Sequence, residues 1–249
     1  SEALAANTTG ASNTAVGVAA LKTNTTGAGN VAVGKDALKT TTTGGANTAI
    51  GLSALELNTA INNTAVGYNS LGANTTGTPN TAVGKSALES NTTGTNNVAV
   101  GDNALNANST AYSNTAVGSA ALQGNTVGFQ NIGVGYASLA TNSTGDKNTA
   151  VGVYALRYAT TADNNTAFGW SASAANTTGY NNVAVGLNAA TTNTTGTNNT
   201  AVGVQALNSN TTASDNTAVG KNSLYGNTTG ASNVAVGLDS LKANTTGSE

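Results

Sequence analysis

Two residue types able to hydrogen-bond recur along the chain at fixed spacing. Asparagine stands at Asn13, Asn30, Asn47, Asn63, Asn80, Asn97, Asn114, Asn131, Asn148, Asn165, Asn182, Asn199, Asn216 and Asn233. Successive members are 17 residues apart, except Asn47 and Asn63, which are 16 apart. A primary amide both donates and accepts, so identical asparagines stacked in register can bond from one copy to the next. This is structural chemistry, and an asparagine ladder is expected. The residue that follows is threonine at Thr14, Thr48, Thr64, Thr81, Thr115, Thr149, Thr166, Thr200 and Thr217, and valine or isoleucine at Val31, Val98, Ile132, Val183 and Val234. A regular rank of hydroxyls can meet a ligand or a second chain. A position that accepts both shapes is neither plain solvent nor plain core, which points to an interface.

Catalytic chemistry is poorly provided for. The chain has no His and no Cys, which excludes Ser/His/Asp and Cys/His arrangements, thiolate metal sites and disulfides. Glu56, Glu89, Asp102 and Asp239 fall in different repeats and read as solvated surface charge, and Asp146–Lys147 reads as a turn. No glycine-rich loop ends in Lys-Ser/Thr, and the dense aspartate of a calcium-binding roll is missing. No enzyme activity, cofactor or metal is expected. Eight basic and ten acidic residues give no electrostatic footprint for nucleic acid. No apolar run approaches the roughly 18 residues of a membrane span, so membrane insertion is not expected either. The few aromatic residues include Tyr68, Tyr112, Phe129, Tyr136, Tyr154, Tyr158, Trp170, Tyr180 and Tyr225. Exposed rings can stack on sugars or form contacts between subunits. Trp170 lies in the most irregular repeat, where Phe168 replaces Val and Ser173 replaces Leu. Its ring is expected to fill the space that leucine leaves, in preference to forming a glycan patch.

The elements that position these groups follow from the repeat. Numbered from the asparagine as column 1, the unit reads N-[TVI]-A-[VIF]-G-x-x-[AS]-L-x-x-N-T-T-G-x-x, and residues 1–12 are the tail of an earlier unit. The whole of 1–249 therefore reads as a single array, with one 16-residue unit at 47–62. Column 3 is Ala apart from Gly133, column 4 is Val apart from Ile50 and Phe168, and column 9 is Leu apart from Ser173 and Ala190. Charges are confined to columns 6, 7, 10, 16 and 17. Columns 2–4 predict a short strand with one bulkier face, and glycine at column 5 predicts a turn. Columns 12–14 predict a second short strand, with Asn at column 12 forming a second ladder. Val at column 4 and Leu at column 9 are the expected core. Helix is disfavoured by the glycine, asparagine and threonine content. The fold class expected is all-β, a parallel β-solenoid or β-roll of about fifteen 17-residue coils, stacked roughly 4.8 Å apart.

The string NTAVGKSALESNTTGTNNVAVG from Asn80 to Gly101 resembles the repeats of phage tail-fibre and tail-fibre-like surface proteins. More distantly it is similar to the head repeats of trimeric autotransporter adhesins, in which N-S-V-A-I-G recurs at shorter spacing. The resemblance covers essentially the whole chain. It implies a left-handed parallel β-roll, a homotrimer, and a place outside the cell, on the cell surface or in a virion tail fibre. The function expected is a structural or adhesive fibre module, with a cell-surface glycan or receptor as partner, bound through columns 6, 7, 10 and 11. Two alternatives stand beside it. An ice-binding solenoid would use the threonine ranks. A self-assembling filament would stack end to end, an expectation drawn from the lack of an evident polar cap near Ser1 or Glu249.

Overall fold

A computed structural model describes residues 2–248; Ser1 and Glu249, where no cap is evident in the sequence, lie outside them. The chain is an all-β parallel solenoid with one three-residue strand in each repeat and no helix among the described residues. Contacts divide it into two compact units, one up to Val127 and one from Gly128 onward. The first contains β1 (Thr14–Val16), β2 (Val31–Val33), β3 (Thr48–Ile50), β4 (Thr64–Val66), β5 (Thr81–Val83), β6 (Val98–Val100) and β7 (Thr115–Val117). The second contains β8 (Ile132–Val134), β9 (Thr149–Val151), β10 (Thr166–Phe168), β11 (Val183–Val185), β12 (Thr200–Val202), β13 (Thr217–Val219) and β14 (Val234–Val236). Within each unit every strand pairs in parallel with the next, in register: Thr81 faces Val98 in the first unit, and Thr166 faces Val183 in the second. The 16-residue repeat keeps this register, with Thr48 opposite Thr64.

Glycine ends each strand for a steric reason. Gly101 has φ +136°, and a Cβ there would lie 2.6 Å from the carbonyl carbon and oxygen of Gly118 in the next coil. Overlapping turns follow. In one coil Ser70 N–H donates to Gly67 O at 3.5 Å, Gly72 N–H to Asn69 O at 3.2 Å and Asn74 N–H to Leu71 O at 3.1 Å. These turns place column 7 and column 9 in the left-handed region, Asn69 at φ 55° and Leu71 at φ 49°. That conformation costs a leucine about 1–2 kcal/mol. The leucine is fully buried and its N–H reaches Ala87 O at 3.0 Å, and burying such a side chain contributes about 1.5–3 kcal/mol.

The structure corrects the sequence-based expectations in three places. Columns 12–15 form a bend, not a second strand. There the N–H groups of Thr25, Thr26 and Gly27 converge on one carbonyl, Thr42 O, at 2.8, 3.2 and 3.4 Å. A strand would send alternate groups to opposite edges. The fourteen strands bound thirteen complete turns instead of about fifteen, because residues 2–12 contribute turns without a strand. Column 4 is not core. Alternation along a strand sends columns 2 and 4 to one face and column 3 to the other, and the face turned inward is the small one. Ala82, Ala99, Ala150 and Ala201 are wholly buried, whereas Val100, Val117, Val185 and Val202 are exposed. The interior is built from Ala at column 3, Ala or Ser at column 8, Leu at column 9 and the two asparagine columns.

Candidate binding surfaces

The column 1 asparagines sit inside the coils and are bonded on every polar atom in the regular repeats. Asn97 N–H donates to Asn80 Oδ1 at 3.0 Å, and its Nδ2 donates to Ala111 O at 2.8 Å. Asn97 Oδ1 in turn accepts from Asn114 N–H at 3.0 Å. The same pattern runs through the second unit, where Asn165 N–H meets Asn148 Oδ1 at 3.0 Å and Asn182 N–H meets Asn165 Oδ1 at 2.9 Å. The main strand of this ladder therefore passes from backbone to side chain. The column 12 asparagines form an amide-to-amide ladder instead. Asn91 Nδ2 reaches Asn74 Oδ1 at 2.8 Å, and Asn108 Nδ2 reaches Asn91 Oδ1 at 2.8 Å. Thr41 interrupts it: its hydroxyl turns to Asn58 O at 2.6 Å, and Asn24 Oδ1 is left buried without a partner. Both columns are consumed by holding coils together. Asn24 heads an Asn-Thr-Thr glycosylation sequon and is wholly buried, so its amide is not presented to solvent.

The outward surface carries the groups free for recognition. The threonines of column 2 lie half-buried on the outer face of the strands, except Thr14, which is exposed. Column 4 lies on the same face, with Val16, Ile50, Val100, Val117, Phe168, Val185 and Val202 exposed. Column 6 adds Leu52, Tyr68, Tyr136, Trp170, Leu187 and Val204, also exposed. Columns 2, 4 and 6 thus build an apolar stripe with interspersed hydroxyls in each unit. A sequence signal for it existed in the tolerance of column 2, but the assignment of column 4 to the core concealed its width. The threonines of column 14, such as Thr76, Thr93, Thr178 and Thr195, form a second exposed rank.

Charged groups in the first unit serve mainly to link neighbouring coils. Lys39 Nζ lies 3.2 Å from Asp36 and 3.3 Å from Glu56, and these hydrogen bonds hold its ammonium above the ordinary lysine range. Glu56 and Glu89, in different repeats, line one open cavity of about 400 Å³ with Leu57, Asn69, Gly72, Ala73 and Ser90. The cavity arises because column 10 is glycine at Gly72 where Glu56 and Glu89 occupy it in flanking coils. Glu89 accepts from Asn69 Nδ2 at 2.5 Å and Asn106 Nδ2 at 3.1 Å. Asp102 is exposed at column 6. Asp239, exposed, is held below the ordinary carboxylate range by hydrogen bonds from Asn222 and Lys242. Among the described residues no group of three or more acids could hold a metal ion, and no helix is long and apolar enough to cross a membrane.

In the second unit Asp146 and Asp163 stack at column 16. Asp146 Oδ1 accepts from Phe129 N–H at 2.9 Å, and Asp163 Oδ1 accepts from Asp146 N–H at 2.7 Å. Partial burial pushes the Asp146 carboxyl above its ordinary range, aided by the negative charge of Asp163. Trp170 does not fill the space left by leucine at Ser173: its side chain is 50% exposed at column 6, because column 6 points outward whatever residue occupies it. It meets Tyr154 edge-on, with centroids 6.4 Å apart, and Tyr154 meets Tyr136 edge-on at 5.5 Å. No family model and no curated protein matches the chain.

Proposed function

We propose that the chain is a non-catalytic structural and adhesive module of an extracellular, cell-surface or virion fibre, working as a homotrimer. The observation that carries this reading is the outward face of columns 2 and 4. Val98, Val100 and Val117 in the first unit, and Val185 and Val202 in the second, are each more than a third exposed, and apolar surface of this kind marks sites of association. Lateral packing of three copies would remove it from water and would explain why column 2 accepts Thr or Val with equal ease. The coils are taken as left-handed, as in the adhesin-head repeats that the sequence resembles. The ladders suit a load-bearing role, since within each unit neighbouring coils are bonded along backbone and side chain.

Light scattering coupled to size exclusion tests the assembly. A mass near three times 24.0 kDa is the expected result, and a clean monomer would remove the support for the fibre reading. A mass that grows with concentration would favour a filament. A second reading has its own observation. Column 2 threonines face outward on strands that repeat at roughly 4.8 Å, and column 14 adds an exposed rank. Such regular hydroxyl arrays suit ice binding, and thermal hysteresis by the monomer would select that reading.

A further inference from the structure

The aromatic residues are unevenly distributed. Five of the chain's ten lie between Tyr136 and Trp170, and the only arginine, Arg157, lies among them. The solenoid gathers four of these rings, with the arginine, from three successive coils of the second unit. Tyr154 N–H donates to Tyr136 O at 3.0 Å, which sets column 7 of one coil beside column 6 of the coil before. Trp170 occupies column 6 of the coil after. Tyr136, Tyr158 and Trp170 are each about half exposed. The Arg157 guanidinium carbon lies 4.5 Å from the Tyr154 ring centre and 5.1 Å from that of Tyr158. The arginine takes part in no ion pair among the described residues. The basic side chains in the described ion pairs are Lys22, Lys35 and Lys39 of the first unit and Lys242 of the second.

We propose that Tyr136, Tyr154, Arg157, Tyr158 and Trp170 form a binding site for an acidic glycan, a chain of sugars bearing carboxylates. Each part of the site has a counterpart in such a ligand. The exposed faces and edges of Trp170, Tyr136 and Tyr158 offer apolar surface to the C–H faces of sugar rings. The guanidinium presents a planar fork of donors that matches a carboxylate with two parallel hydrogen bonds. Stacking on two tyrosines holds that fork in one orientation, which reduces the rotamer freedom lost on binding. The chain carries a net charge of −2, so a cation set in aromatic surface is a local attraction, not part of a general basic field. The site deepens the adhesive part of the fibre reading and does not depend on the number of chains assembled.

Trp170 is the only tryptophan in the chain, so its fluorescence reports on the site directly. The full chain is titrated with an oligogalacturonate, following tryptophan emission and heat of binding. A cello-oligosaccharide of the same length and a polyglutamate peptide of matching charge serve as comparisons. A saturable change with the oligogalacturonate alone is expected. Arg157→Gln should weaken binding by about tenfold or more, Arg157→Lys should restore only part of it, and Tyr136→Ala should weaken it about threefold to tenfold. Both side chains lie outside the core, so circular dichroism and solution mass of all three variants should match the wild type. No saturable signal, equal binding of the neutral sugar or the peptide, or full affinity in Arg157→Gln would each overturn the proposal. A monomeric mass with intact, arginine-dependent binding would leave this site standing while the fibre reading falls.

Discussion

The repeat is damaged in two different ways in its two units. In the first, residues 47–62 lack one backbone residue, that of column 14. In the second, residues 165–198 keep their length but carry Ser173 and Ala190 in place of the core leucines. The shortened coil loses hydrogen bonds locally. Thr75 and Thr76 both donate backbone N–H groups to Thr92 O, whereas Thr59 alone makes the equivalent bond, to Thr75 O at 2.9 Å. Ala60 then assumes the glycine's place and accepts from Asn47 Nδ2 at 2.9 Å and Asn58 Nδ2 at 3.0 Å. The leucine-depleted coils lose no backbone bond at the affected position. Ser173 N–H still reaches Ala189 O at 2.9 Å, and Ala190 N–H still reaches Ala206 O at 2.9 Å. Their φ values, 51° and 48°, match those of the leucines they replace. Strand register survives both defects. Register is thus held by the strand, the glycine turn and the asparagine ladder, while the leucine adds stability without specifying alignment.

The strongest way to break that distinction is to strike the backbone in a regular coil. Gly101→Val places a side chain against Gly118 of the next coil in a conformation that a β-branched residue avoids. A loss of at least about 4 kcal/mol, or failure to fold, is expected, and an unchanged melting curve would refute the turn's role. Asn80→Ala removes the acceptor of Asn97 N–H and the donor to Gly94 O, both buried. Destabilisation by about 3 kcal/mol is expected, with hydrogen exchange at Asn97 accelerating more than at distant coils.

The leucine-depleted region sharpens the comparison from the other side. Ser173 is buried and its hydroxyl has no hydrogen-bond partner. Ser173→Leu removes that orphaned group and restores the residue that every regular coil accepts, next to the small Ala190. Stabilisation of about 1–2 kcal/mol is expected, read in chemical denaturation, with no change in strand pairing. A destabilised protein would show that these coils had repacked around the serine. The smallest effect belongs to Asp146. Its carboxyl is raised in the folded chain, so the folded state holds the proton more tightly than the unfolded state. Its contribution is most favourable below the ordinary carboxylate range and is lost as pH rises through the raised value. Asp146→Asn should therefore stabilise the chain at neutral pH by no more than about 0.5 kcal/mol, and the difference should vanish in acid. A difference of the opposite sign at neutral pH would mean that the charge is held favourably by Phe129 N–H.

Much of this was legible from one-dimensional pattern alone. A glycine required at Gly101 and an asparagine recurring in step at Asn80 and Asn97 disclose a stacked, in-register repeat, because only identical positions brought together in every coil constrain residue type so narrowly. The period of two identified the strand and grouped columns 2 and 4 on one face. It could not say which face turned inward, since alternation is symmetric about the strand. The tertiary structure decided that. Leu88, Asn80 and Asn91 already occupy the interior of a narrow coil, and only a residue as small as Ala82 fits on the inward side of the strand. Val83 is thereby turned outward, and with it the surface available for association. The gathering of Arg157 with Tyr154 and Tyr158 was likewise invisible in the spacing. It depends on overlapping turns that bring columns 7, 10 and 11 over the same patch, a geometry that only the closed coil provides.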